Sequence, residues 1–148
     1  MPNALHLTVA ALVPGKQGFL MVREEDSGRT VFNQPAGHVE AGESFNEAVI
    51  RETFEETGWH VKPRHLLGMS TYTSPHNHIT YYRVAFLCDA LSHDHDAVLD
   101  KDIIEALWLS EEQLRARQDQ MRSPMVLHTL DDYLAGVRYP LEIIRDYR

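Results

Sequence analysis

The residues best suited to chemistry lie in one acidic stretch, from Gly37 to Trp59, which contains six glutamates and a single arginine, Arg51. Three of the glutamates, Glu52, Glu55 and Glu56, are spaced so that they share one face of a helix. Like charges at this spacing repel each other, whereas hard divalent cations bind carboxylate oxygens. The pattern therefore indicates a metal site, and an acidic helix face in solvent is the alternative.

The same stretch carries signals for both ends of that helix. Ser44 and Glu47 have the spacing of a capping box, and Gly58 is a typical residue just beyond a helix end. Ile50 and Phe54, flanked by Thr53 and Thr57, lie on the side opposite the three glutamates, so we expect this side to pack on a hydrophobic core. The sequence thus predicts a helix with one carboxylate face and one buried face.

The spacing of the whole stretch resembles the Nudix box. Gly37 is followed after five residues by Glu43, and after seven more by a run with the three glutamates, from Arg51 to Gly58. Thr53 and Trp59 depart from the aliphatic residues usual in the family, but neither would supply a ligand. The resemblance implies the Nudix α/β/α sandwich and a hydrolase in which water attacks a phosphorus atom of a diphosphate.

The resemblance also implies a set of metal ligands. These are the side chains of Glu52, Glu55 and Glu56 and the carbonyl of Ala36, which precedes the first glycine of the box. Mg²⁺ is the expected cation, with Mn²⁺ as a substitute, and one or two ions could be held. Arg51 is expected to orient a glutamate and so to support catalysis. Two ions roughly 3.5–4 Å apart would polarise the phosphoryl group and activate a water molecule.

The reaction also needs a general base, and the sequence offers two candidates. Glu52 is one. Glu105 is the other, because the segment before Trp108 resembles a strand that brings a distal acid to the site in many Nudix enzymes. A salt bridge or an edge position is the alternative for Glu105.

Groups that could bind a phosphate are candidates for substrate binding, because the rest of the site is acidic. Arg23 and Arg83 lie in expected strands, where the direction of a side chain is fixed. An ordinary surface position is the alternative for each arginine. His76 and His78 lack the spacing and further ligands of a zinc site, so phosphate contact or solvent exposure fits them better. The candidates are Arg23, Arg29, His38, Arg83 and Arg122.

The pattern of elements predicts a single domain over residues 1–148. Strands outnumber helices and several are joined by short turns, which favours an α/β (α+β) fold with a mixed sheet between helices. A doubly wound parallel sheet is disfavoured. We expect a hairpin of strands over 5–13 and 19–23, a charged loop over 24–29, strands over 66–73, 79–87 and 103–109, and helices over 111–117 and 124–136.

Composition limits the partners and the compartment. The formal net charge is −8, which argues against a nucleic acid or an anionic membrane as the main partner. A phosphate substrate is compatible with this charge if Mg²⁺ covers the carboxylates. No apolar run approaches the ~18 residues of a membrane span, and the N-terminus lacks the basic region of a signal peptide. A single cysteine, Cys88, fits a reducing cytoplasm.

Motifs outside the box resemble the NudJ-type phosphatase subgroup of the Nudix family. They are the segment Asn33 to His38, the triplet Arg122 to Pro124 and the segment Arg138 to Glu142. This likeness implies a monomeric bacterial enzyme that releases orthophosphate from nucleoside di- and triphosphates, thiamine pyrophosphate and hydroxymethylpyrimidine pyrophosphate.

Two other functions are weighed against this one. Pro75, sixteen residues beyond Trp59, resembles a marker of enzymes that hydrolyse ADP-ribose or similar nucleoside diphosphate derivatives. A catalytically silent Nudix fold that senses a ligand is a different class, but such a domain is expected to lose glutamates from the box. This chain keeps Glu52, Glu55 and Glu56.

Overall fold

Residues 4–148 are described by a computed structural model in which two β-sheets are flanked by helices. The helices are α1 (Phe45–Thr57), α2 (Glu111–Arg115) and α3 (Pro124–Leu134), with short 3₁₀ turns at Gln118–Gln120 and Leu141–Ile143. The strands are β1 (His6–Leu12), β2 (Pro14–Gly15), β3 (Gly18–Asp26), β4 (Arg29–Asn33), β5 (Ala36–His38), β6 (Trp59–Thr73), β7 (Thr80–His93) and β8 (Ile103–Leu109). None of the helices in this part of the chain has the length and apolar character needed to cross a membrane.

The first sheet has the strand order β5-β1-β7-β6 and contains both parallel and antiparallel pairs. Strand β1 runs parallel to β7 and antiparallel to β5, while β6 and β7 form a long hairpin. In the second sheet β3 lies between β4 and β8, and the short β2 pairs with the start of β3. The mixed α+β class predicted from the sequence is confirmed.

Strand β1 lies at the centre of the core and is buried on both faces. Val9 and Ala11 contact one hydrophobic cluster, which includes Ala48 and Val49 of α1. Leu12 contacts a second cluster, which includes residues of α2 and α3. Because alternate residues of a strand point to opposite faces, this arrangement places the first sheet between α1 and the later helices.

Two expectations about the early strands are wrong. Strands β1 and β3 belong to different sheets, and only Pro14 and Gly15 pair with the start of β3, so the expected hairpin is limited to its tip. Residues 24–29 are not a loop, because β3 continues to Asp26 and pairs with β4. Ser27 and Gly28 both have positive φ, 52° and 78°, which is the backbone of a tight turn that matches strand twist.

The predicted ends of α1 are confirmed. The Glu47 N–H donates to Ser44 Oγ at 3.0 Å, and the Ser44 N–H donates to Glu47 Oε1 at 2.9 Å, which completes the capping box. Gly58 closes the helix with a φ of 76°, a conformation that favours glycine. The prediction succeeds because these signals depend only on neighbouring residues.

The predicted buried face of α1 is wrong at its centre, although the flanking Thr53 and Thr57 are buried as expected. Ile50 is 37% exposed, whereas Val49, Thr53 and Glu56 are buried. Thr53 enters the core at little cost because its hydroxyl donates to the carbonyl of Val49 at 2.7 Å. The helix is therefore rotated from the expected orientation, and this rotation carries Glu56 toward the interior, while Phe54 stacks on His60 with ring centroids 4.5 Å apart.

Candidate active site

A cleft of about 620 Å³ is lined by both sheets, by α1 and by the loop that follows β7. Six residues predicted from the sequence line it: Ala36, His38, Glu52, Glu56, Arg83 and Arg122. They come from elements far apart in the chain, which the order of strands in the first sheet brings together.

Three carboxylates lie close together at one side of the cleft. Oxygen atoms of Glu52, Glu55 and Asp100 all lie within 4.8 Å of one another. The N–H of Asp100 donates to the carbonyl of Glu55 at 3.1 Å, which fixes the loop before β8 against the end of α1. Sequence analysis missed Asp100. The acidity of its loop was visible, but nothing in the spacing showed which acid returns to the helix.

Two further carboxylates are deeply buried beside this group. Glu56 is 8% exposed and accepts the N–H of Ala36 at 2.9 Å. Burial raises the pKa of Glu56 well above its ordinary value, and the charge of Glu24 raises it further. Glu24 is 5% exposed, and burial also raises its pKa even though Arg122 lies 3.1 Å away and opposes the shift.

Glu52 packs directly on the backbone of Gly37. A Cβ at residue 37 would overlap the Glu52 carboxylate, so this position must be a glycine for the carboxylate to lie where it does. Burial raises the pKa of Glu52 to about 7, with Glu55 and Asp100 adding to the shift and Arg51 opposing it.

This donor set fits a divalent cation. The buried oxygens of several acids are hard ligands, and their charged forms are disfavoured by burial and by one another. A bound cation would reverse both effects. Glu52, Glu55 and Glu56 could supply ligands as the sequence predicts, with Asp100 as an addition to the predicted set.

Arg51 is the centre of the hydrogen bonds that hold these acids. Its Nε donates to Glu43 Oε2 at 2.7 Å, and its Nη1 donates to Glu52 Oε1 and Glu55 Oε1 at 2.9 Å each. Its Nη2 donates to the carbonyl of His38 at 3.0 Å. A single guanidinium thus connects α1 to β5 and to the loop before the helix.

Two arginines supply positive charge to the same cleft. Arg83 is 4% exposed, and its Nη2 donates to Gln34 Oε1 at 2.5 Å while its Nη1 is 3.4 Å from Asn33 Oδ1. Burial lowers the pKa of Arg83 to about 10, with Arg122 adding to the effect. No carboxylate in the described residues pairs with Arg83, and its buried Nε has no hydrogen-bond partner there.

His38 lies at the rim of the cleft and is paired with another histidine. Its Nε2 is 2.9 Å from His6 Nδ1, and both rings lie near Tyr81. Burial lowers the pKa of His38, and the proximity of His6 lowers it further. Both effects favour the neutral form of the ring at the edge of the site.

Five predicted residues are not among the residues that line the cleft. Two of them, Arg51 and Glu55, lie beside Glu52, which does line it. The other three lie further away. Arg23 and Glu105 face each other across β3 and β8, with Arg23 Nε 3.4 Å from Glu105 Oε1, and both side chains are substantially exposed. For Glu105 the alternative of a salt bridge is the arrangement observed. Arg29 instead lines a smaller pocket that adjoins the cleft.

Comparison with known proteins identifies the family. A family model for the NUDIX domain matches residues 4–129. The chain belongs to the Nudix family. Nudix hydrolases generally use a divalent cation, in agreement with the carboxylates described above. The predicted activity class, a Nudix phosphohydrolase acting on acid anhydrides, is confirmed.

Individual relatives of this Nudix enzyme give more detail. It is 36% identical to the proteins named Phosphatase NudJ of Escherichia coli and of Shigella sonnei, over 96% of this chain and 92% of each relative. A NUDIX hydrolase from Nitrosomonas europaea, of known structure, has a TM-score of 0.93 and 40% identity, covering 97% of this chain and 98% of the other. The predicted Nudix fold and the likeness to NudJ-type phosphatases are confirmed.

Proposed function

We propose that this Nudix enzyme is a Mg²⁺-dependent phosphatase. Its substrates are nucleoside di- and triphosphates, thiamine pyrophosphate and hydroxymethylpyrimidine pyrophosphate, and its product is orthophosphate. The observation that carries the proposal is the cleft itself, where a group of carboxylates and two arginines line one cavity. The relatives named Phosphatase NudJ support release of phosphate.

The carboxylates Glu52, Glu55, Glu56 and Asp100, together with the Ala36 carbonyl, would hold Mg²⁺. When bound, the cation neutralises phosphate charge and lowers the pKa of a coordinated water. Arg51 keeps Glu52 and Glu55 in fixed orientation, since it donates to both at 2.9 Å.

Arg83 and Arg122 would bind the phosphate oxygens that the carboxylates repel. A guanidinium can donate two parallel hydrogen bonds to a phosphate, and in a buried site such bonds stabilise charge that develops during the reaction. Arg83 suits this role because Gln34 and Asn33 fix it without neutralising its charge. His38, at the rim, would contact the remainder of the substrate.

The water attacks the terminal phosphorus, and the bond from that phosphorus to the bridging oxygen breaks. We assign Glu52 a second role, as the base that accepts the proton of this water: one carboxylate oxygen would hold the cation and the other would take the proton, since the carboxylate lies in the cleft beside Glu55 and Asp100. Glu105 is the less suitable candidate, because it pairs with Arg23 away from the cleft.

A substrate panel tests this proposal. Orthophosphate and pyrophosphate release are measured with Mg²⁺ and then with EDTA, on ADP, ATP, thiamine pyrophosphate and ADP-ribose. Mg²⁺-dependent orthophosphate from the first three is the expected result. Cleavage of ADP-ribose alone, to AMP and ribose phosphate, would agree with hydrolysis of a diphosphate at the Nudix box but would contradict the proposed substrates. Turnover of none of the four would count against the phosphatase.

The proposal includes a monomer in a reducing cytoplasm. Cys88, the only cysteine, is buried and unpaired, as expected for a protein that needs no disulfide. Light scattering after size exclusion should give the mass of one chain, 17.0 kDa. A mass of twice this value would contradict the monomer.

A further inference from the structure

A second pocket, of about 250 Å³, adjoins the cleft and shares part of its wall. Tyr72, Arg122 and Ser123 line both cavities, so the two lie side by side. The polar side chains that line only the smaller pocket are those of Arg29, His76 and Gln118. Its volume is below the ~300–1,000 Å³ of pockets that hold a whole ligand, so it suits one chemical group of a ligand.

The two cavities differ in charge. Eight acidic residues line the cleft. No acidic residue is among the described residues that line the smaller pocket, which instead has Arg29 and Arg122. Arg122 is paired with Glu24 at 3.1 Å and Asp26 at 3.4 Å, so Arg29 is the less compensated of the two cations. In a protein with a formal net charge of −8, a cavity wall with an arginine of this kind and no acid favours an anionic occupant.

Two guanidinium nitrogens of Arg29 donate no hydrogen bond to the described residues. Its Nε and Nη2 are buried and lack a hydrogen-bond partner within residues 4–148. The nearest carboxylate is that of Asp26, and its Oδ2 lies 4.0 Å from Arg29 Nη2, too far for a hydrogen bond. Asp26 also lies 3.4 Å from Arg122, so its charge is shared between two guanidiniums. No acceptor in the described part of the chain satisfies these two nitrogens, and the charge of Arg29 is only partly compensated by Asp26.

We propose that the smaller pocket binds the third phosphate of a nucleoside triphosphate, counted from the attacked end, with Arg29 and Arg122 as its donors. This inference rests on the proposed phosphatase function. The attacked phosphate and its neighbour occupy the cleft, and the next phosphate along the chain reaches Arg29. ADP and thiamine pyrophosphate have no third phosphate, so the pocket distinguishes triphosphates from diphosphates.

A pair of exposed glutamines allows a matched test. Gln118 lines the pocket, whereas Gln120, on the same 3₁₀ turn, does not. Gln118→Glu places a carboxylate in the pocket and should lower kcat/KM for ATP by about tenfold, because like charges repel the phosphate. Its kcat/KM for ADP should stay within about twofold. Gln120→Glu adds the same charge outside the pocket and should change neither value.

A binding measurement gives a readout that does not depend on turnover. Inorganic tripolyphosphate is titrated calorimetrically into the protein in EDTA, where the acidic side of the cleft offers no cation to hold an anion. Wild-type protein should bind it, and Arg29→Gln should raise the Kd by about tenfold. Arg29→Gln should also lower kcat/KM for ATP and spare ADP.

Several results would overturn the subsite. If Gln118→Glu lowers kcat/KM equally for ATP and ADP, or for neither, the pocket does not bind the third phosphate. If the loss of kcat/KM depends on the nucleobase and not on the number of phosphates, the pocket binds the nucleobase instead. If wild-type protein hydrolyses neither nucleotide, the proposed phosphatase function is wrong. The tripolyphosphate titration then still shows whether Arg29 binds an anion.

Discussion

At the residue scale, the central feature is a group of carboxylates whose charged forms are disfavoured without a cation. Burial is the main cause for Glu52 and Glu56, and each is further affected by neighbouring acids. Such an arrangement is costly on its own and is typical of a functional site. The glutamate spacing could be read from the sequence, but the burial of Glu56 could not, since it depends on how α1 is rotated.

Glu56→Gln should reduce kcat by at least ~10²-fold, because a neutral amide cannot replace a carboxylate ligand. The fold should persist, since glutamine has the same shape and its amide oxygen can still accept the Ala36 N–H. Orthophosphate release with Mg²⁺ and thermal unfolding are the measurements. Glu112→Gln, at an exposed position of α2, is the matched control. Unchanged turnover in Glu56→Gln would contradict the metal assignment.

The pH dependence of stability follows from the same groups. Without a cation, the folded protein holds protons on Glu52 and Glu56 more tightly than the unfolded chain does. Stability from these groups is therefore present below their unfolded pKa of ~4.5 and is lost as pH rises through about 7, the folded pKa of Glu52. Scanning calorimetry in EDTA should give a Tm at least ~5 °C lower at pH 8 than at pH 5.

Two further measurements test whether Glu52 and Glu56 cause this pH dependence. Mg²⁺ should raise Tm more at pH 8 than at pH 5, because it binds the deprotonated acids. Glu56→Gln in EDTA should show a flatter change of Tm with pH, since it removes one of the titrating groups. A wild-type Tm that rises between pH 5 and pH 8 in EDTA would contradict the assigned pKa directions.

At the element scale, α1 could be predicted in its ends and not in its orientation. Ser44, Glu47 and Gly58 act on neighbouring backbone groups, so a local pattern is enough. The apolar character of Ile50 and Phe54 predicts a face centred on them, whereas the buried face of the helix is centred closer to Thr53 and Thr57, whose hydroxyls donate to carbonyls of the helix itself. A pattern based on hydrophobicity alone does not predict the burial of a threonine whose hydroxyl donates to a carbonyl of its own helix.

Arg51→Lys tests the role of α1 as a holder of ligands. Lysine keeps the charge but cannot donate simultaneously to Glu43, Glu52, Glu55 and the His38 carbonyl. We expect a 10–100-fold loss in turnover or Mg²⁺ affinity, which is typical when an orienting partner of metal ligands is removed. Arg64→Lys, at an exposed pair with Asp89, is the matched control and should have little effect. Equal activity of the two variants would contradict this role.

At the scale of the whole molecule, the site depends on contacts that sequence spacing does not encode. Arg83 on β7 and Gln34 beside β5 come together because β1 pairs with both strands and so holds them in one sheet. Asp100 reaches Glu55 through a loop, and Arg122 reaches Glu24 from the segment before α3. The fold class and the box could be predicted, because their signals are local or periodic. The partners of the arginines could not: the sequence makes Arg23 and Glu105 candidates for the site, whereas in the structure they pair with each other.

The central claim is that water attacks the terminal phosphorus at this site with the help of a divalent cation. The most direct test is hydrolysis of ADP in ¹⁸O-labelled water, with Mg²⁺ and with EDTA, followed by mass spectrometry of both products. The account predicts Mg²⁺-dependent turnover with the label in orthophosphate and none in AMP. Label in AMP would place the attack on the other phosphorus, and turnover that persists in EDTA would contradict the metal site.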